Sequence, residues 1–127
     1  MSKILVVDDE PKIRFIVRKM LEKEGHKVAE AKDGAECLEM VKAERPDLIL
    51  LDVMMPGMDG WDVCRRIKTD EATKTITVAM LTVKSKDEDK VKSFDEALAD
   101  WHVVKPFTGK TLSRTVQWLL ERPFTRG

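Results

Sequence analysis

Hydrophobic and polar positions along this chain of 127 residues fall into short apolar runs that alternate with stretches of helical spacing. The most distinctive run opens residues 47–60, Asp-Leu-Ile-Leu-Leu-Asp-Val-Met-Met-Pro-Gly-Met-Asp-Gly, where an apolar segment ends on Asp52 and breaks at once into a Pro/Gly turn. An uninterrupted Leu/Ile run of strand length suits a strand covered on both faces, as in the middle of a parallel sheet. Taken by itself, Asp52 has two readings. It is an acid at the ligand-binding edge of an open α/β sheet, or a residue that caps the following turn.

The rest of the chain repeats the theme. Residues 4–7, Ile-Leu-Val-Val, also end on acids, Asp8, Asp9 and Glu10. Pro11 suits a first helical turn, and Ile13, Ile16, Val17, Met20 and Leu21 keep the spacing of one buried face until Gly25 stops the helix. Residues 28–31 read as a short strand, and Asp33 as the cap of a helix that turns Cys37, Leu38 and Val41 inward, closed by Pro46. Trp61, Cys64, Ile67 and Lys68 keep helical spacing, and residues 76–81 form a buried strand ending at Thr82. Residues 84–98 predict a helix with Val91, Phe94 and Leu98 inward. Residues 101–104 predict a last strand, followed by Lys105-Pro106-Phe107 and a helix with Leu112, Val116, Leu119 and Leu120 inward, ended by Pro123. Five strands alternating with five helices predict an α/β fold, a doubly wound parallel sheet with helices on both faces.

Composition narrows the picture without changing it. The length and 43% hydrophobic content suit one self-sufficient domain, expected over residues 1–122, with a short C-terminal tail at 123–127. With 23 basic and 23 acidic residues the net charge is zero, so nothing in the balance points to nucleic acid or a membrane surface. Cys37 and Cys64 lack metal-ligand spacing and read as reduced core residues. The N-terminus has no signal-peptide organisation and no segment reaches membrane-spanning length, so the expected location is cytoplasmic.

If the strands all run parallel, their C-terminal ends bring Asp8, Asp9, Asp52, Thr82 and Lys105 to one edge. Three converging carboxylates repel one another unless a cation neutralises them, and an all-oxygen, shallow site suits Mg²⁺ better than a Ca²⁺ cage. The same groups suit phosphoryl transfer. In this reading Asp52 is the nucleophile that becomes an acyl phosphate. Asp9, Asp52 and the carbonyl of Met54 hold Mg²⁺, with Asp8 acting mainly through a metal-bound water. Lys105 and Thr82 each take one further phosphoryl oxygen.

The motifs Val-Val-Asp-Asp-Glu-Pro (6–11), Leu-Leu-Asp-Val-Met-Met-Pro-Gly-Met-Asp-Gly (50–60), Leu-Thr (81–82) and Val-Lys-Pro-Phe (104–107) span nearly the whole chain. On them the chain resembles the response-regulator receiver domains of two-component signalling, with their chemotaxis-type, flavodoxin-like fold. The resemblance implies strand order 2-1-3-4-5 and a cis peptide between Lys105 and Pro106. It also implies transfer of a phosphoryl group from a sensor histidine kinase or phosphotransfer protein to Asp52, and slow Mg²⁺-assisted hydrolysis that makes the protein a signalling switch rather than a turnover enzyme. Its output is a downstream effector protein bound through the face made by residues 84–98, the last strand and the last helix, as a monomer or a phosphorylation-dependent dimer. The family's switch pairs the Thr82 hydroxyl with an aromatic residue three positions before the lysine, where this chain has His102, whose charge adds a pH dependence. Trp101 is an alternative for that aromatic role. Leu98 stands where the family commonly has Gly, Val83 is larger than usual beside the site, and Met54 and Lys84 occupy positions that govern acyl-phosphate lifetime. An apolar Met54 cannot orient a water, so the phosphorylated state is expected to outlive that of fast chemotaxis-type members.

Three competing readings follow. One is a receiver fold that docks on a partner regardless of phosphorylation. An aspartate-nucleophile phosphatase wants an acid where Met54 stands, and a flavodoxin-like nucleotide binder wants a Gly-rich loop where Asp8 and Asp9 stand. Trp118 on the last helix is either a dimer-face residue or a partly buried core residue.

Overall fold

The computed structural model describes residues 2–83 and 97–121. The apolar runs become one parallel sheet of β1 (Lys3–Val7), β2 (Lys27–Ala31), β3 (Leu48–Asp52), β4 (Thr77–Val83) and β5 (Trp101–Lys105), in the order 2-1-3-4-5. All five residues of β3 are buried, because it lies at the centre with helices over both faces. Four helices are found among the described residues: α1 (Pro11–Lys23), α2 (Gly34–Glu44), α3 (Gly60–Thr69) and a C-terminal helix (Gly109–Glu121). Most of the fifth expected helix, with Val91 and Phe94, lies outside the described residues, as do Lys84 and Pro123.

Alternation along the strands divides the core into two layers. Leu5, Val7, Ile49, Leu51, Val78 and Met80 pack against Cys37 and Val41 of α2 and Val63, Cys64 and Ile67 of α3. Ile4, Val6, Leu48, Leu50, Ala79, Leu81 and Val103 pack on the other side against Val17 and Leu21 of α1 and Leu112, Val116 and Leu119 of the C-terminal helix. The expected caps form: Pro11 opens α1, and the Asp33 carboxylate accepts from Glu36 N at 2.9 Å.

Two expected inward positions are corrected. Ile16 is 56% exposed, because the face of α1 against the sheet centres on Val17 and Leu21, and Ile16 falls about 100° to one side of Val17. Leu98 is 42% exposed with φ at +64°, so it is a left-handed turn residue between the buried Ala97 and Ala99 rather than an inward helix position. That explains the glycine commonly found there in the family it resembles: left-handed backbone costs an L-residue about 1 kcal/mol.

Candidate functional site

β1 and β3 are neighbours, and the chain leaves them in opposite directions to reach β2 and β4. Their C-terminal ends therefore flank the crevice at which the strand order reverses, the usual ligand position in open α/β sheets. Asp8 follows β1 and Asp52 ends β3; both are buried, whereas Asp9 is exposed. One ligand oxygen from each of Asp8, Asp9 and Asp52 lies within 4.8 Å of the others.

The Lys105 ammonium, reaching in from the end of β5, donates to Asp8 Oδ2 at 2.9 Å and to Asp52 Oδ1 at 3.2 Å. Asp8 Oδ1 accepts from Glu10 N at 3.0 Å, and Met54 N approaches Asp52 Oδ1 at 3.4 Å. The Lys105–Pro106 peptide is cis.

Electrostatics follow from this crowding. Burial pushes the Asp52 carboxyl from its ordinary 3.8 up to about 6, aided by the charge of Asp8 and opposed by Lys105. Burial works to lower the Lys105 pKa, but hydrogen bonding to Asp8 and the charges of both acids outweigh it, and the net shift is upward. A crevice that holds Asp52 reluctant to ionise beside two further acids is short of positive charge, which is the condition a hard divalent cation relieves; three carboxylates on one point fit Mg²⁺.

The other sequence-predicted groups take distinct places. Thr82 is buried near the end of β4, and its Oγ1 has no hydrogen-bond partner among the described residues. Register pairs Met80 with His102 and Ala79 with Trp101. Side chains alternate, so His102 shares the Met80 and Thr82 face, whereas Trp101 belongs to the opposite face and meets Trp118 of the C-terminal helix edge-on at 4.9 Å. The Trp101 and His102 rings still approach at 6.1 Å. Met54 and Val83 are exposed at the rim, and an open pocket of about 410 Å³, lined by Val53, Met54, Met55, Pro56, Asp59 and Trp61, adjoins Asp52. Gly60 lets α3 start against the end of β3: a methyl there would overlap the Asp52 carbonyl oxygen and lie 2.8 Å from Val53 Cα.

One further group escapes the pattern analysis, and a second, Lys68, is placed by its helical spacing but without its partner. Arg14 donates from Nη1 to the Asp8 carbonyl oxygen at 2.6 Å. Nothing in helical spacing marks it. Lys68 on α3 donates to Asp100 Oδ2 at 2.9 Å and to the Ile76 carbonyl at 2.8 Å, inside the core. Its signal was a lysine on an apolar stripe.

The sequence profile of the response regulator receiver domain matches residues 4–117. The chain belongs to that family. As a receiver it is a component of two-component signalling, a family in which acidic residues generally bind Mg²⁺, and its sheet is the chemotaxis-type flavodoxin-like one. It is 45% identical over 121 residues to the transcriptional regulatory protein ResD of Bacillus subtilis (strain 168), covering 95% of this chain and 49% of ResD. It is 35% identical over 120 residues to protein PilH of Pseudomonas aeruginosa, covering 94% of this chain and 98% of PilH. Among solved structures, chemotaxis response regulator CheY4 of Vibrio cholerae superposes with a TM-score of 0.88 at 34% identity, covering 94% of this receiver and 98% of CheY4. The receiver thus spans about half the length of ResD and nearly all of PilH.

Proposed function

We propose that this receiver is a phosphorylation-activated switch that takes a phosphoryl group from phosphohistidine on a sensor histidine kinase or phosphotransfer protein onto Asp52. The observation that carries the reading is the juxtaposition of three carboxylates with a lysine that bridges Asp8 and Asp52. In the transfer, an Asp52 oxygen forms the new P–O bond as the P–N bond of the donor breaks, and the imidazole keeps that electron pair and takes a proton from solvent. Asp9, Asp52 and the Met54 carbonyl, with Asp8 acting mainly through a metal-bound water, would hold Mg²⁺, which would supply charge neutralisation at the phosphoryl group. The Lys105 ammonium leaves its Asp52 hydrogen bond for a second oxygen while keeping Asp8, and the Thr82 hydroxyl, which has no competing partner among the described residues, donates to a third.

Movement of Thr82 toward the phosphoryl group opens room on the face it shares with His102. His102 follows, and the surface of β5 and the C-terminal helix changes its fit to a downstream effector. The exposed, apolar Met54 holds no water for attack on the acyl phosphate, so the phosphorylated state is long-lived. Residues 1–122 act as the receiver unit, in the cytoplasm. A second reading, docking independent of phosphorylation, draws support from the half-exposed Trp101 and Trp118 on that same surface.

Acetyl phosphate with Mg²⁺ separates the two. The expected result is a mass gain of one phosphoryl group on the wild type, absent in Asp52→Ala and without Mg²⁺. No gain on the wild type under these conditions would leave the docking module as the surviving function.

A further inference from the structure

Asp8 is held through its main chain as well as its carboxylate. Its N–H donates to the Ala31 carbonyl at the end of β2 at 3.2 Å. Its carbonyl oxygen accepts from Arg14 Nη1 at 2.6 Å, one of the shorter hydrogen bonds in the molecule. Arg14 projects from the first turns of α1 with only 16% of its side chain exposed, and its Nε donates to Glu30 Oε1 at 3.1 Å. Glu30 lies on β2 opposite Val6, and its other oxygen accepts from Arg18 Nη1 at 2.7 Å. One planar guanidinium therefore joins a strand-end carbonyl to a carboxylate on the neighbouring strand, using two donors of its fixed fork.

The carbonyl that Arg14 grips belongs to the peptide plane shared by Asp8 and Asp9. The Asp8 side chain has its own anchors in Glu10 N and Lys105 Nζ. Asp9 lies one residue further on, exposed, and its carboxylate reaches the common point through the orientation of that plane. Rotation of the plane swings the exposed acid out of the group while leaving the buried one in place.

We infer that Arg14, braced by Glu30, is a positioning residue for the divalent-cation site. It fixes the Asp8–Asp9 peptide so that both carboxylates and that of Asp52 address one point. The inference rests on the reading of these three acids as a Mg²⁺ site. Charge alone predicts the opposite sign: a guanidinium beside the acids repels a cation, so its removal would tighten binding. Positioning predicts that removal weakens it.

Isothermal titration of the metal-free, unphosphorylated full chain with MgCl₂ decides between them, with urea unfolding of each variant to establish that it is folded. Arg14→Ala is expected to weaken Mg²⁺ binding about ten-fold, the scale seen when an outer-shell partner of a metal ligand is lost. Arg14→Lys falls between, since an ammonium on a flexible stem reaches one partner and not both, and Glu30→Gln, which leaves Arg14 in place but loosens its brace, weakens binding less than Arg14→Ala. If Arg14→Ala does not fold, Arg14→Lys, which keeps the charge and loses the fork, carries the test. Unchanged or tighter Mg²⁺ binding in the folded variants overturns the positioning role while leaving the metal site standing. A wild type that gives no Mg²⁺ heat at all overturns the metal site and the inference with it.

Discussion

The ionised side chain of Asp52 sits at odds with the stability of the fold around it. Its carboxyl is held at about 6 by burial and by Asp8, so the folded protein binds that proton more tightly than the unfolded chain does. Ionised Asp52 therefore opposes folding near neutral pH, and the opposition fades as pH falls from about 6 toward the ordinary 3.8. Asp52→Asn without metal is expected to be more stable than wild type at pH 7.5, by about 2 kcal/mol, with the gain gone by roughly pH 4. Urea denaturation across that range checks it, and a variant no more stable than wild type at pH 7.5 would contradict the charge argument. The residues gathered at the crevice were legible wherever an acid, a lysine or a threonine closed an apolar run. Arg14 was not, because its role is to hold a main-chain oxygen, and no side-chain pattern records where carbonyls point.

Elements were read well where burial is two-sided or one-sided in a regular way. β3 is an unbroken apolar run because both faces are covered, and α2 begins at the expected Asp33 cap. The errors fall where geometry departs from ideal periodicity: Ile16 at the margin of α1, and Leu98 in a left-handed turn. The buried pair of Lys68 and Asp100 belongs to this scale because it joins α3 to the start of β5 and, through Val78 N donating to Asp100 Oδ2 at 2.8 Å, to β4 as well. Lys68→Ala leaves the buried carboxylate without that cation and should cost about 3 to 5 kcal/mol, while Lys68→Arg costs less. A loss below about 1 kcal/mol in urea unfolding would mean that water or local relaxation solvates Asp100.

At the scale of the whole molecule, topology explains why separate motifs converge. Strand order 2-1-3-4-5 was implied by resemblance rather than by periodicity, since alternating strands and helices specify a parallel sheet but not which strands are neighbours. Lys105 ties the ends of β5, β3 and β1 together across the sheet. Lys105→Ala removes that tie and leaves the acids uncompensated, so the variant should be less stable than wild type without metal and recover more stability on adding Mg²⁺. Equal Mg²⁺ responses of the two urea midpoints would show that the lysine and the metal do not share the same acids.

The separation of 97 positions between Asp8 and Lys105 also sets an order of events during synthesis. All three acids leave the ribosome before the lysine does, and β4 is complete while their positive partner is still unmade. A partial sheet that buried Asp8 and Asp52 at that stage would enclose like charges, so early closure of the crevice is disfavoured until the last strand arrives. The three acids are thus brought together only in a chain that has been translated through β5.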